Sequence, residues 1–204
     1  MSCCGSADEA GAIGAYIGRV AAAFATGQAA DTDTLLHMIE TNLHGITAAP
    51  RLEATAQVSA VALDGRMLAH EWIRSERGLA KVDALDHHAG HFLPGPQSPA
   101  WDLAGAEIEL RMDDAQAGAM LAVYERESGD VLARAWLPFY RVAYAAFRFG
   151  YATLAAETLA GTDDGARFTR AAQLYSQCAL NATARLTASP KSPVKQIARS
   201  SMNT

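Results

Sequence analysis

Cysteine is scarce in this chain of 204 residues, which contains only Cys3, Cys4 and Cys178. Adjacent cysteines rarely bridge each other without strain, so this set excludes the framework of a disulfide-rich secreted domain. The start of the chain also lacks a basic segment followed by an apolar one, which is the pattern of a signal peptide. We therefore expect a reducing, cytoplasmic location.

Long apolar runs are missing as well. The most apolar stretch, Val131 to Ala160, is interrupted by Arg134, Arg141 and Arg148. No run therefore approaches the roughly 18 residues that a membrane-spanning helix needs. We expect no membrane partner.

Three common catalytic signatures are absent. The chain contains no G-x-x-x-x-G-K-[ST], no G-x-G-x-x-G and no G-x-S-x-G. These patterns serve nucleotide binding, dinucleotide binding and serine hydrolysis. Their absence removes the support for those three classes, and leaves open whether the chain is an enzyme.

Positive charge is concentrated at the end of a chain whose net charge is −5. The last twenty residues contain no acid and four cations, Arg185, Lys191, Lys195 and Arg199. Pro190 and Pro193 exclude regular structure nearby, so residues 189–204 are predicted to be a disordered basic tail beyond a single domain of residues 1–188. Only this tail offers an attraction to nucleic acid, and that attraction would weaken as salt rises.

Helices are predicted at both ends of the chain from apolar residues at helical spacing. The first runs from about Asp8 to Ala25, and the second carries Leu35 to Leu43. A third begins near Phe139, and a fourth follows Gly161.

Strands are predicted between these helix pairs. Asp64-Gly65 is a typical hairpin turn between two apolar segments, and apolar residues alternate with charged ones over Ala104–Met112. A second hairpin is predicted around Glu127-Ser128-Gly129-Asp130 and joins Ala119–Arg126 to Val131–Leu137. The expected fold is α+β, an antiparallel sheet of about five strands, with two hairpins, flanked by an N-terminal and a C-terminal helix pair.

A histidine segment is the sharpest chemical feature. Three of the six histidines lie in Asp86-His87-His88-Ala89-Gly90-His91. On a helix His87 and His91 would share one face with Asp83, and imidazoles with a carboxylate suit a transition metal such as zinc. The candidate ligands are His87, His91, His88, Asp83 and Asp86. The alternative is a solvated polar segment, because Gly90 weakens a helix and no H-E-x-x-H pattern is present.

Small and aromatic residues suggest packing surfaces. Gly14 and Gly18 are one turn apart in the first helix, so we expect another helix to cross there, from this chain or from a second copy. Tyr144 and Tyr151 belong to an aromatic stripe in the third helix. That stripe fits either the core or a groove for a partner.

Three functions follow from these observations. The first is a non-enzymatic interaction or assembly protein, which binds a protein partner or self-associates, because catalytic motifs are missing. The alternative is a metal-binding protein or metalloenzyme that uses the histidine segment. A small-ligand sensory domain is the third and weakest interpretation.

Overall fold

The computed structural model describes residues 6–52, 57–76, 78–83, 95–188 and 194–195. The chain divides into two compact units. Unit 1 combines Met1–Asp31 with Gln57–Tyr140, and unit 2 combines Thr32–Ala56 with Arg141–Thr204. Each unit is described by itself.

Most of the described residues are helical. The α-helices are α1 Ala7–Ala23, α2 Thr32–Asn42, α3 Ala100–Glu109, α4 Asp114–Ser128, α5 Ala133–Thr158 and α6 Asp163–Ala188, and a 3-10 turn covers Ala69–Glu71. The strands are β1 Ala25–Ala29, β2 Arg51–Leu52, β3 Ser59–Val61, β4 Trp72–Ser75, β5 Gly78–Lys81 and β6 Val194–Lys195. No helix within these ranges is both long and apolar enough to cross a membrane.

The predicted five-stranded sheet is wrong. In the described parts of the chain the strands form only two-stranded antiparallel pairs, β1 with β3, β4 with β5 and β2 with β6. The molecule is therefore rich in α-helix with small strand pairs. The four helices predicted from apolar spacing are present, although α5 begins at Ala133, ahead of the predicted start at Phe139.

The strand predicted over Ala104–Met112 is mostly the second half of α3. Its alternation of apolar and charged residues is short, whereas the alanines that precede it favour helix strongly. Trp101, Leu103 and Ala104 are buried on this helix. Leu110 is buried as predicted, but as the C-terminal cap of a helix rather than as a strand residue.

The second predicted hairpin is the junction of α4 and α5. Gly129 has φ 71° and caps α4, so the glycine of the predicted turn ends a helix instead. Asp113 and Gln116 form a reciprocal capping box at the start of α4. Asp130 then accepts the N–H of Leu132 at 2.8 Å and so begins the next helix.

The first predicted hairpin is also wrong. β3 pairs with β1, with Ala25 opposite Val61, and not with the segment after Gly65. Gly65 does have a positive φ of 83°. Its amide and that of Asp64 bond to a distant carboxylate instead of closing a two-residue turn.

The core of unit 1 depends on close contact between α1 and α4. A Cβ added at Gly14 would overlap the carbonyl of Met120, and one at Gly18 would lie 2.8 Å from Cβ of Glu127. The helix that crosses these glycines is therefore α4 of the same unit.

Unit 2 is built on α2, α6 and the part of α5 from Arg141 onward. Leu35 and Ile39 of α2 are fully buried, as is Leu43 just after the helix. Asn42 donates from its side chain to the carbonyl of Ala146 at 3.1 Å and occupies the space beside Gly150. The predicted tail contains β6, whose register places Val194 opposite Leu52. The rest of 189–204 lies outside the described residues.

Candidate functional site

A buried lysine in unit 1 gathers polar groups from several elements. Nζ of Lys81 lies 3.0 Å from Oδ2 of Asp64 and 3.1 Å from Oε2 of Glu71. It also donates to the backbone carbonyl of Asp83 at 3.0 Å. The side chains of Lys81 and Asp64 are 0% exposed, and that of Glu71 is 3% exposed. We use the name Lys81 cluster for Lys81, Asp64, Glu71, Asp102 and Tyr16.

A short hairpin brings Glu71 and Lys81 together. In the β4–β5 register Trp72 lies opposite Lys81, and the N–H of Val82 donates to the carbonyl of Glu71 at 2.8 Å. Cross-strand neighbours have Cβ atoms about 5 Å apart, which is close enough for their side chains to meet. The pairing of two four-residue strands therefore brings Glu71, the residue just before β4, close to the lysine at the end of β5.

Asp102 connects α3 to the loop at Asp64. Its Oδ1 accepts the N–H of Gly65 at 2.9 Å and its Oδ2 accepts the N–H of Asp64 at 3.1 Å. Nε1 of Trp101 donates to the carbonyl of Gly65 at 3.4 Å. Burial, followed by the nearby charge of Asp64, raises the pKa of Asp102 to about 8. The first turn of α3 therefore fixes the loop and carries an acid that titrates above neutrality.

Tyr16 connects α1 to the same loop. Its hydroxyl donates to Oδ2 of Asp64 at 2.7 Å. Burial and then this hydrogen bond raise the pKa of Tyr16 well above its usual value. The Tyr16 ring meets Trp72 edge-on, with 5.5 Å between the ring centroids. The phenol thus remains protonated and acts as a donor to the carboxylate.

Acidic groups outnumber basic ones around Lys81. Arg66 adds a second cation, because its Nη2 lies 3.1 Å from Oε1 of Glu71. Two cations then face the carboxyl groups of Asp64, Glu71 and Asp102. Because the pKa of Asp102 is raised to about 8, two carboxylates balance two cations near neutral pH, and an excess of negative charge, which favours cations nearby, develops only as Asp102 ionises at higher pH.

Asp83 is the one predicted metal ligand within the described residues. It is exposed and has φ 55°, the left-handed region that few residues other than glycine adopt. The bond from Lys81 to its carbonyl anchors it beside the buried carboxylates. His87, His88, His91 and Asp86 lie outside the described residues, and within the described ranges no group of three histidines, cysteines or acids is arranged to hold a metal.

The residues predicted for an interface occupy different environments. Gly14 and Gly18 lie against α4, as described above. Tyr144 is 1% exposed in unit 2, so it belongs to the core. Tyr151 is 42% exposed, and its ring meets that of Phe168 with 6.2 Å between centroids.

Sequence reasoning missed most of the Lys81 cluster. The clearest available signal was Asp102, a lone carboxylate within the apolar segment Ala100–Ala106. An acid flanked by buried apolar residues must find buried partners. Those partners, Asp64 and Gly65, are far away in the sequence, so no local pattern names them.

Comparisons of this chain with protein-family models, with curated proteins and with solved structures found no match. We therefore infer function from the residues themselves.

Proposed function

We propose that unit 1 binds a divalent metal ion through Asp83, and that the Lys81 cluster holds Asp83 in position. The observation that carries this proposal is the position of the Lys81 ammonium. It bonds both to the carboxylate of Asp64 and to the carbonyl of Asp83. An exposed acid is thereby fixed beside a buried group that is rich in carboxylates.

The conformation of Asp83 supports the same assignment. A left-handed backbone at a residue other than glycine costs roughly 1–3 kcal/mol and persists where neighbouring contacts enforce it. Here the contact is the bond from the buried Lys81 to the Asp83 carbonyl. Such strain is common at binding sites, where it directs a ligand group toward its target.

The histidine segment supplies the remaining ligands in this proposal. His87 and His91 follow Asp83 closely in the sequence, and neutral imidazole binds zinc well at neutral pH. A hard cation such as magnesium prefers oxygen and would use Asp83 with little help from histidine. A comparison of zinc binding with magnesium binding therefore separates the contribution of the Asp83 carboxylate from that of the imidazoles.

Metal content is the direct test. We expect protein purified without a chelator or an affinity tag to carry near-stoichiometric zinc or another transition metal. The double change His87→Ala, His91→Ala should remove it while leaving the melting temperature of the metal-free protein unchanged.

A matched control uses two exposed histidines of unit 2. His37→Ala, His44→Ala should retain the metal, since both histidines lie in or just after α2 and so belong to unit 2, whereas the proposed site is in unit 1. Equal loss from both double variants, or metal-free protein in every preparation with no stabilisation by added zinc, would refute the proposal.

Self-association is a second candidate, supported by exposed apolar side chains on unit 2. Leu154 is 55% exposed, Leu174 is 44% exposed and Leu180 is 38% exposed. Burial of such side chains between copies would stabilise an assembly by roughly 25 cal/mol per Å² of apolar surface. Gly14 and Gly18 contribute little to it, because α4 occupies their face.

The native mass of the protein tests this second candidate. We expect a mass above that of one chain, and we expect Leu154→Ser, Leu174→Ser to reduce it. Val131→Ser is the control, because Val131 is 72% exposed but belongs to unit 1. A monomeric wild type would exclude the assembly.

Nucleic-acid binding through the basic tail remains a prediction from sequence.

A further inference from the structure

The Lys81 cluster holds an amine against two carboxyl groups away from solvent. Nζ of Lys81 lies 3.0 Å from Oδ2 of Asp64 and 3.1 Å from Oε2 of Glu71, and none of the three side chains is more than 3% exposed. Cγ of Asp64 is one bond of about 1.2 Å from Oδ2, so Nζ lies within roughly 4 Å of that carbon. A movement of about 1 Å reaches the separation of about 3–3.5 Å at which a nucleophile attacks.

The hydrogen bonds of the two carboxyl groups give them different roles. The hydroxyl of Tyr16 donates to Oδ2 of Asp64 at 2.7 Å, where it would stabilise negative charge that develops on that oxygen. Nη2 of Arg66 pairs with Oε1 of Glu71 at 3.1 Å, which leaves Oε2 to exchange protons with Nζ of Lys81. Asp64 is therefore placed as the group to be attacked, and Glu71 as a general base.

We propose that Lys81 and Asp64 join their side chains in an amide bond, with Glu71 transferring the proton. One proton passes from Nζ to the Asp64 carboxylate, and a turn about the Cε–Nζ bond directs the freed lone pair at Cγ. As the C–N bond forms, Glu71 accepts a second proton from the nitrogen and delivers it to the hydroxyl, which leaves as water. One hydrogen of the ammonium stays on the amide and two leave with the water, so the reaction needs no oxidant and no co-reactant.

Burial favours the amide over the ion pair from which it forms. Two buried charges are costly to remove from water, whereas an amide with both its polar atoms hydrogen-bonded is neutral. Tyr16 still donates to the carbonyl oxygen of the product. The hydrogen that stays on Nζ can be donated to the carbonyl of Asp83, which lies 3.0 Å away. Asp83 is therefore anchored by either form of Lys81, and the metal proposal is tested separately.

The same aspartate has a second way to lose water. In an Asp-Gly sequence the backbone nitrogen of the glycine can attack the aspartate side chain and close a succinimide ring. Here the N–H of Gly65 donates to Oδ1 of Asp102 at 2.9 Å, which holds that backbone amide in place. The structure therefore favours attack by Lys81, and the experiment has to tell the two products apart.

Mass spectrometry of the denatured full-length protein tests the proposal. We expect the wild type to weigh one water molecule less than its sequence. Trypsin does not cleave after an acylated lysine, so residues 52–66 should stay joined to residues 78–111 after digestion. Fragmentation of this joined peptide should place the bond between Asp64 and Lys81, whereas a succinimide would leave the two peptides separate.

Three variants separate the reaction from the fold. Lys81→Arg keeps a cation beside Asp64 and Glu71 but cannot form this amide, so it should have its full sequence mass. Glu71→Gln keeps the size of the side chain without the base, and it should fold and retain the full mass. Tyr16→Phe keeps the ring against Trp72, and it should form the bond about 100-fold more slowly, the usual effect of losing one such donor.

Urea unfolding shows which of these proteins are folded when their masses are measured. The proposal is overturned if the folded wild type keeps its full mass after prolonged incubation at neutral pH. It is also overturned if Lys81→Arg loses water, which would assign the loss to the Asp-Gly sequence, or if Glu71→Gln forms the bond as fast as the wild type.

Discussion

The two units differ in how they treat buried polar side chains. Five of the six buried polar residues identified in the described chain belong to unit 1, namely Asp64, Glu71, Gln97, Ser98 and Asp102. Their bonds reach far along the sequence, as from Asp64 to Asp102 and from Gln97 to Tyr140. In unit 2 the buried polar residue is Thr183, whose hydroxyl donates to Ala179 one turn back.

The two units therefore differ in whether local or long-range hydrogen bonds satisfy their buried polar groups. Local bonds such as that of Thr183 add little information about the fold, since any helix allows them. Long-range polar bonds require one particular arrangement, and the loss of one partner leaves the other buried and unpaired. Unit 1 should therefore be more sensitive to polar substitutions than unit 2, and it is the unit whose polar side chains are held in one arrangement.

The largest expected effect is that of Lys81→Met. It removes the cation between Asp64 and Glu71, and breaking a buried ion pair in this way costs about 3–5 kcal/mol. Arg167→Met in unit 2 is the matched control, because its pair with Asp164 has side chains 73% and 63% exposed. Such an exposed pair contributes about 0–1 kcal/mol. Urea unfolding measures the free energy of unfolding of both variants. Equal losses of stability would contradict the proposed difference between the units.

Contacts at glycines provide a second comparison of the two units, with an expected loss of stability of intermediate size. Gly14→Ala in unit 1 pushes a methyl into the carbonyl of Met120, which is backbone and yields little, so we expect a cost of about 1–3 kcal/mol. Gly150→Ala in unit 2 meets the side-chain amide of Asn42, which can rotate away and lose one hydrogen bond worth about 1 kcal/mol. Gly118→Ala is the control, with nothing within 4 Å of the new Cβ.

The melting temperatures of these three variants should therefore rank Gly118→Ala highest and Gly14→Ala lowest. Gly118→Ala should gain up to about 1 kcal/mol from helix propensity. If Gly14→Ala is as stable as Gly118→Ala, the contact between α1 and α4 is looser than described.

A further expected effect, measured across a range of pH rather than at one pH, is a slope of stability against pH that arises from Asp102. Its pKa is raised from 3.8 to about 8 on folding, so between these values the folded protein keeps a proton that the unfolded chain has lost. This contribution therefore falls as pH rises from about 4 to 8, by at most about 1.4 kcal/mol per pH unit, and is constant above 8. Asp102→Asn should flatten that fall in urea unfolding. An unchanged slope would show that Asp102 titrates normally.

The sequence predicted what depends on local spacing. Apolar residues three and four apart located α1, α2, α5 and α6. The predicted strands failed because short alternations and glycine turns also occur in and between helices, as at Ile108 and Gly129.

The candidate site was harder to predict. Helical spacing from the histidines predicts Asp83 as a metal ligand, and this stays a prediction, whereas Lys81 and Asp102 stand out only in the fold, which places them beside Asp64. Charged side chains that meet across distant elements leave no periodic trace in the sequence.

Asp83→Gly gives the most direct test of the proposal that the carboxylate of Asp83 is a metal ligand. Glycine adopts φ 55° without strain, and the backbone carbonyl that Lys81 bonds is retained. We expect metal-free Asp83→Gly to be at least as stable as the wild type, and its zinc affinity, measured by calorimetric titration, to be lower by at least 10-fold. Zinc binding as tight as that of the wild type, or no binding by either protein, would contradict it.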